Sequence, residues 1–311
     1  MAKKKKGAAL RYLEYFGAVS AIQAAKLAPL PFLRWFSRML GAAFFLAVPK
    51  RRSIAIENIS KAFPGKTADE VNRLASRSAA SFFLTFFEMM KFQGSLTDPA
   101  AFKRIRESVR DLEELFVKAK RLHDESNGCI FVTPHIGNWE VLPYVSAMVG
   151  IPLVVVVRPL DNPLLEKYFY ANRTASGQAI IPKKNAFFVL QETLASGKSV
   201  GMLPDQSTMK GIMADFFGRK ATTTPVPAIL SIQNRKPIVV VACCRRPDNT
   251  YTGVVSDPIW PGEYTSEKAE INRMTAEVNA AMEKVISAFP DQYLWMHNRW
   301  KTYKGKKEFM S

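Results

Sequence analysis

The spacing of apolar and polar positions changes character twice along the chain. Residues 8–48 are dense in Ala, Leu and Phe but are broken by Arg11, Glu14, Lys26, Arg34 and Arg38. The charge-free stretches between those charges, Tyr15–Ala25 and Met39–Pro49, fall far short of the roughly 20 apolar residues of a membrane span. No small-residue cleavage site closes a compact apolar run, so a cleaved signal peptide is not expected. Sequence that is apolar and basic but too short to span predicts a helix lying in a lipid interface. The competing reading is a core helix with a basic flank. Next, Thr67 and Glu70 form a capping box behind Pro64-Gly65. From Asp69 to Phe92, Val71, Leu74, Ala75, Phe82, Phe83, Phe86 and Phe87 recur at mostly helical spacing. This predicts a long amphipathic helix whose Phe-rich end is core or, as the second choice, an acyl-chain wall.

From Gly128 onward, short apolar runs alternate with helical patterns. Cys129–Thr133, Leu153–Val157, Gln178–Ile181, Val200–Leu203, Pro237–Cys244 and Thr252–Ser256 read as strands. Asn138–Val149, Asn162–Ala175, Ala186–Ala195, Pro225–Asn234 and Glu267–Ala288 read as helices. The fold class expected is α/β: a mixed, largely parallel sheet flanked by helices, with an N-terminal membrane-associated helix. Residues 1–50 are expected to be a basic, apolar membrane-anchoring segment and residues 51–311 one α/β domain.

Charge sharpens the picture of the N-terminus. The net charge is +17, of which +10 falls in residues 1–52 and +4 in residues 299–311. The 246 residues between carry only +3. Nucleic-acid binders spread positive charge over a recognition face, so a nucleic-acid partner is not expected. Basic ends beside apolar sequence suit an anionic membrane surface, where each Lys or Arg is worth about 1 kcal/mol. For Lys3–Lys6 alone, a solvated tail is an equal alternative. Cys129, Cys243 and Cys244 have neither disulfide-framework nor zinc spacing. Cys129 and Cys243 sit in apolar runs and are expected in the core.

One stretch carries chemistry. Strand 129–133 runs into Pro134-His135-Ile136-Gly137-Asn138-Trp139-Glu140, and strand ends are where open α/β sheets place ligands. His135 and Glu140 are five residues apart, about 500° on one helix and so off a common face. They converge only if His135 lies in a turn and Glu140 in the first helical turn, with Gly137 as the bend and Asn138 as the cap. A carboxylate on one imidazole nitrogen would then free the other as a base. Of the two other histidines, His123 lies in a polar stretch (residues 121–127) that reads as a surface loop, and His297 lies in the Trp295–Trp300 segment. No Gly-x-Ser-x-Gly elbow is present, and Gly197-Lys198-Ser199 lacks the first glycine of a P-loop. No metal site and no cofactor are expected.

His-x₄-Glu within Thr133–Glu140 resembles the motif of the glycerolipid acyltransferases, and its Asn-Trp-Glu form is similar to the lipid A biosynthesis late acyltransferases of Gram-negative bacteria. The likeness continues through Val157–Leu164, Leu203–Gln206, Phe216–Gly218 with Ala221-Thr222, and Gln292–His297 with Arg299–Lys301, covering roughly residues 10–302. Five blocks in order make a specific signal where one motif would be weak. The resemblance implies an O-acyltransferase of the lauroyl/myristoyl type. The acyl chain would pass from acyl carrier protein to a hydroxyl of a lipid A precursor, at the cytoplasmic face of the inner membrane. It implies His135 and Glu140 as catalytic residues, with Arg158, Asp205 and Asn138 in substrate binding. Arg158 would meet negative charge, its alternative being a salt bridge to Asp161. Asp205 would orient Arg158 or contact the acceptor, its alternative being a turn or cap. Related acyltransferases carry a Glu-Gly-Thr-Arg block where this chain reads Pro204-Asp205-Gln206-Ser207, which favours the lipid A branch over a glycerol-3-phosphate acceptor. Two rival readings stand beside this one: an acyltransferase of another lipid (ornithine lipid, glycolipid or lysophospholipid), and a non-catalytic peripheral membrane-binding protein.

Overall fold

The computed structural model describes residues 7–92, 110–157, 160–168, 179–182, 186–248, 250–301 and 303. Arg158, the expected anion-binding residue, lies outside them, as does the end of the helix expected over 162–175.

The N-terminal third is helical: α1 (Ala8–Leu27), α2 (Leu30–Ala47), α3 (Pro49–Ala62) and α4 (Ala68–Phe92). Prolines set the breaks. Ala28 and Val48 each precede a proline and leave the helical region, with ψ of 139° and 67°. The capping box at the start of α4 forms as expected: Thr67 N–H donates to Glu70 Oε2 at 2.8 Å, and Glu70 N–H to Thr67 Oγ1 at 3.3 Å. Helix α2 buries Leu33, Ser37, Gly41 and Phe45, one residue per turn, and Phe45 joins the main core cluster. Its buried stripe meets α4 at Gly41, where a Cβ would stand 2.9 Å from Ala80 N. Phe32, Trp35, Met39 and Leu46 of α2, and Tyr12, Leu13 and Phe16 of α1, are exposed. Among the described residues, no helix is long and apolar enough to cross a membrane.

The remainder is the mixed, largely parallel α/β sheet that the alternation predicts. Its strands are β1 (Ile130–Val132), β2 (Leu153–Val157), β3 (Ala179–Pro182), β4 (Ser199–Met202), β7 (Ile238–Arg245) and β8 (Tyr251–Val255), in the order β3-β2-β4-β1-β7-β8. All neighbours run parallel except the antiparallel edge pair β7–β8. Strand β1 and most of β7 are buried, as covered parallel strands are. Helices α5 (Arg110–Ser126), α6 (Leu142–Met148), α7 (Ala186–Ala195), α8 (Val226–Asn234) and α9 (Glu267–Ala288) complete the order.

Three local expectations change. Ile212–Phe216 (β5) and Arg219–Thr223 (β6) form an antiparallel hairpin that the strand pattern missed. Phe217 and Gly218 turn it with φ of 51° and 67°, the double positive φ of a tight hairpin turn. Residues 121–126 continue helix α5 rather than forming a loop. His123 is therefore buried, not on the surface: its Nδ1 lies 2.9 Å from Ser199 Oγ, and burial lowers its pKa. Finally, residues 138–141 form a turn and α6 starts at Leu142, because the Asn138 side chain is engaged elsewhere and Pro143 favours a helix start there.

Gly41→Val should overpack the α2–α4 contact and lower stability by about 1–3 kcal/mol. A fall in thermal midpoint, with the circular dichroism spectrum retained, checks it.

Candidate active site

Strands β1 and β4 are parallel neighbours with Val132 opposite Met202, and Thr133 N–H extends the ladder to Met202 O at 3.0 Å. Three residues beyond those partners stand His135 on one chain segment and Asp205 on the other. Equal offsets from a paired position bring the two side chains together. His135 Nδ1 lies 2.7 Å from Asp205 Oδ1, and the His135 backbone N–H donates to Asp205 Oδ2 at 2.8 Å. An ionised carboxylate can only accept, so in the neutral ring the proton sits on Nδ1 and Nε2 holds a lone pair. Gln206 Nε2 lies 3.3 Å from that Nε2. The Trp139 ring meets the imidazole edge-on at 5.3 Å.

The two groups are buried unequally. Asp205 is 2 % exposed and the His135 side chain 18 %. Burial acts to lower the His135 pKa, but the Asp205 charge, the Asp205 hydrogen bond and the Glu140 charge outweigh it, and the group titrates above the ordinary histidine value. Burial acts to raise the Asp205 pKa, and His135 and Arg299 outweigh it, so the carboxyl stays below its ordinary value. The stability contributed by His135 is full below about pH 6.5 and fades as pH rises through its raised value. That from Asp205 is present above the unfolded value and fades as pH falls through its lowered one.

The C-terminal segment braces the pair from behind. Leu294 N–H donates to His135 O at 3.0 Å, and Ile136 bridges to Tyr293. Tyr293 is buried, and burial with the Asp205 charge pushes its phenol pKa well up. Arg299, 1 % exposed, donates to Thr222 O at 2.8 Å and Thr223 Oγ1 at 2.6 Å of β6 and lies over the Phe216 ring. The unpredicted hairpin thus anchors a buried cation near Asp205. His297 Nε2 accepts from Ser207 N–H at 3.2 Å, and burial lowers its pKa to about 4.

The expected site residues fall out as follows. His135 lies in the turn after β1. Asp205, not Glu140, makes the hydrogen bond to its ring nitrogen. Glu140 lies in the turn before α6 rather than in its first turn, half-buried, and contributes charge to His135. Asn138 is 1 % exposed, and its Nδ2 donates to Glu88 Oε2 at 3.0 Å. Gly137 has φ +58°, and a Cβ there would run into the Cys243 carbonyl oxygen, so the bend requires glycine. All three cysteines are buried and free, with burial raising each thiol pKa. Among the described residues, no group of three or more His, Cys, Asp or Glu is placed to hold a metal ion.

Histidine turn, strand-end carboxylate and C-terminal brace all fall within residues 1–302, which match the family model described as bacterial lipid A biosynthesis acyltransferase. The chain belongs to that family. Among curated relatives of these lipid A acyltransferases, it is 28% identical over 282 residues to the lipid A biosynthesis palmitoleoyltransferase of Escherichia coli, spanning 88% of this chain and 86% of the relative. It is 23% identical over 278 residues to the lipid A biosynthesis lauroyltransferase of the same organism, spanning 88% and 87%. A phosphatidylinositol mannoside acyltransferase of Mycolicibacterium smegmatis is 22% identical over 182 residues, spanning 57% and 58%.

In this member of the family, Asp205→Asn should leave burial as the dominant influence on His135 and carry its titration below about 6.5. Histidine-selective NMR, with only three histidines to assign, reads this directly against His297 at about 4. A His135 titration unmoved by Asp205→Asn would refute the assignment.

Proposed function

We propose that the protein transfers a fatty acyl chain from an acyl thioester, carried by acyl carrier protein, to a hydroxyl of a lipid A precursor. Family membership supports the reaction class. The observation that carries the mechanism is the Nδ1–Asp205 bond, which leaves the lone pair of Nε2 on the accessible side of a half-buried imidazole.

In this reading, the acceptor hydroxyl replaces Gln206 at Nε2 and gives its proton to His135. The new O–C bond forms on the thioester carbonyl, the C–S bond breaks, and the imidazolium returns the proton to the leaving thiolate. Asp205 holds the tautomer and, with Glu140, stabilises the imidazolium. No acyl-enzyme is needed. Arg158 remains the proposed contact for substrate negative charge. In the same reading, the reaction takes place at the cytoplasmic face of the inner membrane. Exposed Leu13, Phe16, Phe32, Trp35 and Leu46, beside Lys26, Arg34, Arg38 and Lys50, suit an anionic lipid surface. The lauroyl/myristoyl type is the donor expectation, and palmitoleoyl enters the comparison because a relative's name carries it.

Labelled transfer from acyl carrier protein loaded with lauroyl, myristoyl or palmitoleoyl chains to a panel of lipid acceptors tests the reading. His135→Ala should lower kcat/KM about 10²–10⁴-fold. Because the base must be neutral, activity should fall as pH drops through the raised His135 value. Near-normal turnover in His135→Ala would remove the base assignment. Transfer only to another glycolipid would change the acceptor, and transfer to none would leave the non-catalytic membrane-binding reading.

Removing residues 1–48 should abolish flotation with anionic vesicles. Undiminished flotation would refute the proposed membrane contact.

A further inference from the structure

The turn that carries His135 to Glu140 is gripped by a buried polar cluster that the acyl-transfer chemistry does not use. Ser81, Thr85 and Glu88 lie on one face of α4, and Arg245 ends β7. Arg245 Nε donates to both Glu88 carboxylate oxygens at 3.1 and 3.0 Å, and Nη2 donates to Glu88 Oε2 at 2.6 Å. Its Nη1 reaches Ser81 Oγ at 3.0 Å and Nη2 reaches Thr85 Oγ1 at 2.8 Å. Glu88 is 1 % exposed. Such a pair is weak evidence for stability, since the cost of desolvating two charges can match their attraction. Its contacts point to another role. Glu88 Oε2 also accepts from Asn138 Nδ2. Arg245 fills a lone pair of Thr85 Oγ1, and the hydroxyl has two carbonyl acceptors in reach, Gly137 O at 2.6 Å and Ser81 O of its own helix at 3.0 Å, of which Gly137 O is the shorter. The other side of the same turn is held by Cys243 O, which accepts from Asn138 N–H at 2.8 Å, and by Gln292. The Gln292 amide in turn bridges Arg245 N–H and O at 2.8 and 2.7 Å. Tyr251 of β8 is the ladder partner of Arg245.

We propose that the Glu88–Arg245 pair is the positioning device of this site: it sets the turn between His135 and Glu140, and through that turn the approach of Trp139 and the Glu140 charge to the imidazole. The proposal rests on the acyl-transfer reading for its rate effect, but not for its structural one.

The full-length protein is compared with Glu88→Gln, Arg245→Met and the double variant Glu88→Leu/Arg245→Met. Each single change leaves half of a buried pair and lowers Tm. The double change removes both charges and brings Tm back towards wild type. Restored stability should not restore rate: kcat stays about tenfold or more below wild type with KM within about twofold, as expected for displaced catalytic groups. The NMR titration of His135 moves to lower pH, because the Glu140 charge recedes. If the double variant does not fold, Thr85→Val takes its place, since it removes the hydrogen bond to Gly137 O at constant shape, and Thr85→Ser should rescue it. Wild-type kcat and an unmoved His135 titration in the folded double variant, or in Thr85→Val, would overturn the proposal. If the wild type transfers no acyl chain, the acyl-transfer reading fails by itself, and the His135 titration still decides the clamp.

Discussion

The site depends on one hydrogen-bonded contact made across two strands. His135 and Asp205 are 70 residues apart in sequence, yet the β1–β4 register puts them at equal distance from a paired position, and the carboxylate takes both the ring Nδ1–H and the backbone N–H of the same histidine. Two bonds to one residue fix the ring about both its position and its rotation. A slip of one residue between β1 and β4 would also send the two side chains to opposite faces. The parallel core of the sheet is therefore the alignment jig of the chemistry, and its Val- and Ile-rich burial is what keeps the register single-valued.

Around that contact the protein solves an electrostatic problem. A fully buried carboxylate costs several kcal/mol unless it is compensated. Asp205 is compensated by the imidazole and backbone N–H of His135 and by the nearby Arg299 charge, which is itself fastened to the β5–β6 hairpin. The hairpin and the C-terminal segment touch no reacting atom in the proposed mechanism. Their part is to make the interior polar at one point, so that the histidine can change charge without its partner changing state.

Much of this was legible in the sequence. Apolar runs bounded by glycine and proline gave the strands of the sheet, because buried parallel strands leave continuous Val and Ile runs. The His135 turn was legible because a strand, a proline, a glycine and a carboxylate fall within a dozen residues. The ring's actual partner was not, since Asp205 is joined to it only by strand order, which no local pattern encodes. The nearby Glu140 drew the assignment for the same reason. The β5–β6 hairpin escaped because Phe217 takes a conformation that glycine or asparagine would have signalled. His123 was misread because a polar stretch at the end of a helix resembles a loop, and its contact with Ser199 comes from a strand 76 residues away. Glu88 did leave a trace: it is an isolated acid in a Phe-rich helical stretch, which asks for a buried cation that sequence alone cannot locate.

Helix α4 has two working faces. Ala79 and Ala80 let α2 approach to backbone contact at Gly41, while Ser78, Ser81, Thr85 and Glu88 hold the segments that frame the histidine. The amphipathic N-terminal layer and the reaction centre are thus two sides of a single wall. An N-terminal segment grafted from a relative would have to arrive with its own copy of that wall, because the small residues that seat α2 and the polar residues that seat the turn are interleaved on consecutive turns of the same helix. The modular unit for exchange between relatives runs from α1 through α4, not to the end of the apolar segment.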